Sequence, residues 1–158
     1  AGDKAATRLT TWVMLAVGIT QVIVQGGLIG RLRKVASEKI LILAGTACIA
    51  VSFVLLPLVG EHLGYWQMFP VVVLLSFGSG IFTPSQSSLL SRSVGGHEQG
   101  GMLGLGQSMS ALGRIVGPAS SGFLFEHVDY GAPLFVGAVL VAVGFLIATS
   151  LRPPPAST

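Results

Sequence analysis

Arg114 is the charged side chain to explain first, because it lies in the middle of an apolar run, Gly100 to Phe125, with no acid beside it in that run. A guanidinium placed there has two possible chemistries. It can pair with an anion or with backbone carbonyls of another helix and so hold structure. It can also stand in a water-filled cavity and contact a solute or a proton-carrying carboxylate. Gln107 and Ser110 share its helical face. Comparable polar faces occur at Gln21 and Gln25 in an earlier apolar run and at Ser76 and Thr83 in a third. An amide facing hydrocarbon without a partner is costly, so these glutamines point to a cavity or to polar neighbours. Together Gln21, Gln25, Ser76, Thr83, Gln107, Ser110 and Arg114 are the candidate cavity residues.

Enzyme constellations are missing from the pattern. His62, His97 and His127 fall one to a loop, and there is neither an HExxH motif nor a second cysteine to join Cys48. Ser79 and Ser121 lack the glycine two residues before the serine that an intramembrane serine nucleophile motif would need, and no apolar run holds a histidine base. The expectations are therefore no enzymatic activity, no cofactor, no metal and no nucleic-acid partner.

The elements that carry these residues follow from composition. The chain has 158 residues, 51% hydrophobic and 9% charged, with a mean hydropathy of +0.79. Soluble domains carry about a quarter charged residues, so the fold class expected is an all-α membrane protein. Five transmembrane helices are placed at about 11–30, 40–59, 68–91, 100–125 and 134–151, after a polar extracytoplasmic segment 1–10 and before a cytoplasmic tail 152–158. Trp12, Tyr65 and Trp66 suit the membrane interface. The second and fifth spans are apolar all round. Gly80, Pro84, Gly113, Gly117 and Pro118 are candidates for close packing or flexing, and Gly26 with Gly30 forms a GxxxG. Arg31, Arg33, Lys34, Lys39, Arg92 and Arg152 fall on one side, and Lys4 and Arg8 on the other. The positive-inside rule puts the N-terminus outside and the C-terminus in the cytoplasm. The chain opens at Ala1 and its first methionine is Met14, which favours a piece of a longer protein.

At this point the residues resemble a known family. The pattern GxGxxxPxxxxLxS at Gly78, Gly80, Pro84, Leu89 and Ser91 is followed by Gln99-Gly100, Gln107-Ser108 and LGRIVGP at Leu112 to Pro118. This resembles the last helices of major facilitator superfamily transporters, in particular the drug:proton antiporter branch that includes tetracycline-efflux proteins. GGLIGRLRKVASEK, with Gly26, Gly30, Arg31, Arg33 and Lys34, is similar to the C-terminal copy of that superfamily's cytoplasmic loop motif, with Gly30 in the place of its aspartate and Ala36 in the place of its loop glycine. The resemblance implies helices eight to twelve of twelve, within a partial C-terminal six-helix domain. It also implies helices nine and twelve at the periphery, and export of a small drug-like or metabolite substrate by proton antiport with alternating access. The partners implied are the substrate, protons, the bilayer and the preceding helices of the same transporter, and the location implied is the plasma or inner membrane. A truncated membrane module that packs or oligomerises without transporting is the alternative.

Overall fold

The computed structural model describes residues 2–62, 65–128 and 131–150. Arg152, the 152–158 tail and Asp129 lie outside them, as do the side chains of Lys4, Glu61, His62 and Tyr65. All regular structure among the described residues is helical. Helix α1 (Gly2–Ile23) passes through a π-helical turn (Val24–Leu28) into α2 (Ile29–Val35). Helix α3 (Glu38–His62) follows, then a 3₁₀ turn (Tyr65–Gln67), α4 (Met68–Arg92), α5 (Gln99–His127) and α6 (Ala132–Ser150).

Two helix boundaries differ from the expected spans. The first expected span stops at about Gly30, but the helix continues through the basic run from Arg31 to Val35, and only Ala36 and Ser37 separate it from α3. Arg, Lys and Leu are all good helix formers, and long basic side chains can hold their charge at the interface while the backbone stays helical. At the other end, α1 already begins at Gly2.

Four stretches are long and apolar enough to cross a membrane: Thr10–Val35, Glu38–Val59, Met68–Arg92 and Ala132–Ser150. Helix α5 has 29 residues, ample length for a crossing. Its glycines, its serines and Arg114 keep its apolarity below that of the other four.

Packing is centred on α3 and α4, with α6 against α3 and α1 and α5 along α4. Helix α3, expected at the periphery, is thus in the middle of the contacts this chain makes with itself. The reason is a glycine pair. A Cβ on Gly45 would come within 2.9 Å of the Gly78 carbonyl oxygen, and one on Gly78 within 2.8 Å of both the Gly45 carbonyl oxygen and the Cys48 Cβ. Backbone therefore lies on backbone where α3 crosses α4, the arrangement small residues permit in bilayers. The GxxxG of Gly26 and Gly30 makes no such contact; nothing stands within 4 Å of either Cβ position. The buried apolar centre is Val24, Leu41 and Ile81, one from each of three adjoining elements. Hydroxyls inside the helices turn back on their own backbone: Thr46 to Ile42 O, Ser52 to Cys48 O, Ser76 to Val72 O and Ser85 to Ile81 O.

Candidate functional site

The structure sorts the candidate residues into two groups. The first lines a groove of about 460 Å³ between α4 and α5. Thr83, Gln86 and Ser87 face it from α4, with Phe82 and Leu90; Gln107, Ser110 and Arg114 face it from α5, with Leu103, Gly106 and Gly113. The walls come from the C-terminal half of α4 and the N-terminal half of α5, joined by the short 93–98 connector. A Cβ on Gly106 would meet only the tip of the Leu90 side chain, Cδ1, at 2.9 Å.

Arg114 is the charged residue among those lining the groove, and none of the others is an acid. It is exposed, and no residue of α5 is buried within this chain. Its Nε lies 3.4 Å from the Ser110 carbonyl oxygen one turn earlier. Ser110 in turn donates to the Gly106 carbonyl at 3.0 Å, and Ser87 to Thr83 O at 3.1 Å. Much of the groove's polarity is therefore amide and guanidinium, with the Ser87 and Ser110 hydroxyls occupied as donors but able to accept. Such a lining can hold a polar solute on one side and an apolar body against Phe82, Leu90 and Leu103. Gln86 was missed in the sequence, although it lies three residues after Thr83 and so on the same face.

The second group lies between α1 and α4, away from the groove. Gln21 donates through Nε2 to Ser79 Oγ at 3.0 Å and reaches Ser76 O at 3.4 Å, and Gln25 donates to Gln21 Oε1 at 2.7 Å. Ser76 is buried there. These amides are satisfied by a neighbouring helix and by each other. Gly80 does pack closely, its Cβ position meeting Val24 Cγ1 at 3.0 Å and Gln21 Oε1 at 3.2 Å. Gly113 and Gly117 have nothing within 4 Å. Pro84 and Pro118 both lie inside helices.

The basic loop motif also divides. Arg33 donates through Nη2 to the Pro84 carbonyl oxygen at 2.7 Å, a contact no sequence pattern announced. Arg31 and Lys34 are exposed at the same helix end. Nearby, Glu38 accepts from the Ser88 hydroxyl and pairs with Arg92 Nε at 3.3 Å, and Lys39 Nζ reaches Thr149 O at 2.7 Å. These contacts join α2, α3, α4 and α6 at one end of the molecule. Among the described residues no three His, Cys, Asp or Glu side chains converge as a metal site would require.

Known proteins resemble this chain in sequence over most of its length. The tetracycline resistance protein, class D, of Salmonella ordonez is 27% identical over 98% of this chain and 38% of its own length. Solute carrier family 22 member 18 of Mus musculus is 31% identical over 92% of this chain and 34% of its own length. Solute carrier family 67 member A1 of Homo sapiens is 29% identical over 86% of this chain and 31% of its own length. The chain thus spans roughly a third of the curated relatives it matches. No solved structure matches it. The model of the Major Facilitator Superfamily matches residues 4–158, and the chain belongs to that superfamily of membrane transporters.

Proposed function

We propose that this chain forms helices eight to twelve of a secondary active transporter that exports a small drug-like or metabolite molecule by proton antiport and alternating access. One observation carries this reading: within a family match that runs the length of the chain, the polar faces of α4 and α5 meet across a groove with Arg114 in its wall. The tetracycline-resistance relatives support efflux as the direction. The cluster of Arg31, Arg33, Lys34, Lys39 and Arg92 at one end supports a cytoplasmic position for that end, in a plasma or inner membrane. The carboxylates that carry the driving proton belong, on this reading, to helices outside the chain.

The test uses the complete transporter in membrane vesicles, with tetracycline as the probe and an imposed proton gradient. Arg114→Ala is expected to lower uptake about tenfold or more, the scale of one lost charged contact to a solute, while the yield of folded protein falls far less. Equal falls in uptake and yield would assign Arg114 to structure. A folded protein that moves no solute, wild type included, would favour the non-transporting module.

A further inference from the structure

Two backbone discontinuities in neighbouring helices lie against each other. The first is the π-helical turn Val24–Leu28, which inserts a residue between α1 and α2 and contains the adjacent Gly26 and Gly27. Both glycines face open space, so the middle of the turn is unpacked, while Val24 and Leu28 at its two ends belong to the buried apolar cluster. The second is in α4. Pro84 has no N–H, so the Gly80 carbonyl receives no helical hydrogen bond from four residues ahead. The two sites touch: Val24, the first residue of the π turn and 1% exposed, is what a Cβ on Gly80 would strike at 3.0 Å.

Side chains fasten the helices to each other on both sides of this level. Before it, Gln21 of α1 binds Ser79 and Ser76 of α4. Beyond it, Arg33 of α2 binds the Pro84 carbonyl. Helix α1 is thus tied to the first half of α4, and α2 to the second half. We infer that the π turn and the Gly80–Pro84 break form one paired hinge, about which α2 and the C-terminal half of α4 tilt together against α1 and the N-terminal half of α4.

The consequence falls on the groove. Every α4 residue lining it, from Phe82 to Leu90, belongs to the moving half or its edge. Tilting that half changes the separation of α4 from α5. The contacts of Glu38 with Ser88 and Arg92 hold the same half to the start of α3 and set one end of the swing. π turns are frequent at functional sites, and helix bends localise at proline, glycine pairs and π turns, so the coincidence of all three is mechanically apt. The inference rests on the transporter reading for its purpose, but its test does not require transport.

The experiment is distance measurement by electron spin resonance in the complete transporter, with Cys48→Ala as background and the protein in lipid nanodiscs. One label pair, Val35→Cys with Met109→Cys, reports α2 against α5; the other, Val22→Cys with Met109→Cys, reports α1 against α5. All three positions are exposed in this chain, at 90%, 57% and 72%. The expected result is two distance populations for the Val35 pair and one for the Val22 pair. Deleting Gly27, which restores a regular helix without turning either flank, is expected to leave the Val35 pair with one population. Pro84→Ala, which restores a helical hydrogen bond and so keeps the fold, should do the same. Arg33→Gln should uncouple the helices and broaden the Val35 distribution. Two populations that survive both the deletion and Pro84→Ala, or a wild-type Val35 pair with a single population, would overturn the hinge. Loss of solute transport with these distances as expected would count against the transporter reading alone.

Discussion

At the residue scale the fold depends on what is small. Gly45 and Gly78 let two backbones touch, and neither opposing group can yield: one is a carbonyl oxygen and the other the Cβ of Cys48. Gly78→Ala must therefore separate α3 from α4 locally. We expect a loss of about 1–3 kcal/mol, the usual cost of overpacking a tight contact, read as a lower midpoint of unfolding in detergent titration of the complete protein. The sequence pointed to Gly80, which does pack closely, and to the spacing of Gly26 and Gly30, which meet nothing within this chain; Gly45 and Gly78, 33 residues apart on different helices, carry no such spacing. Spacing along one helix reports only a capacity for close approach. Which glycine finds a partner depends on the crossing point. The glutamines show the same gap. That Gln21 and Gln25 needed polar neighbours was legible; that Ser76 and Ser79 of α4 would supply them was not, because serines that bond their own backbone carry no outward sign of a second partner.

At the element scale α5 stands apart. It is the longest helix, holds Arg114 near its middle and buries none of its residues within this chain. The other long helices are long and apolar enough to cross a membrane. A central arginine costs about 2.5–3.5 kcal/mol on insertion scales, so α5 should depend on its neighbours for insertion. In a glycosylation-based insertion assay, the isolated Gln99–His127 segment should insert poorly and the Glu38–His62 segment almost fully. Arg114→Leu should raise insertion of the α5 segment to a majority of chains. An unmodified α5 segment that inserts as well as α3 would remove the argument that its polar face is built for a cavity. The helical content was legible element by element, from apolar runs and the breaks between them. The continuation of α1 through a π turn into α2 was hidden by the run of charges, which marks where a helix leaves hydrocarbon and not where it ends.

At the scale of the whole molecule, α3 and α4 form the spine of one helical wall, α6 covers α3, and the groove between α4 and α5 is open. The proposed topology makes this wall testable without any substrate. Helix α4 begins beside Trp66, an exposed indole suited to the outer interface, and ends at Arg92 in the basic cluster. Its two ends must then face opposite compartments. With Cys48→Ala as background, Trp66→Cys should react with a membrane-impermeant maleimide added outside intact cells, and Gly96→Cys only after the cytoplasmic face is opened. The reverse pattern would invert the orientation while keeping α4 as a span. Reaction of both cysteines from one side would mean that α4 does not cross, and the groove could not be part of a path through the membrane. The positive cluster predicts the first outcome because Arg31, Arg33, Lys34, Lys39 and Arg92 lie together at the Gly96 end, whereas the Trp66 end has only Arg8 among the described lysine and arginine side chains. That asymmetry is large enough to set orientation by itself when the connecting loops are as short as these.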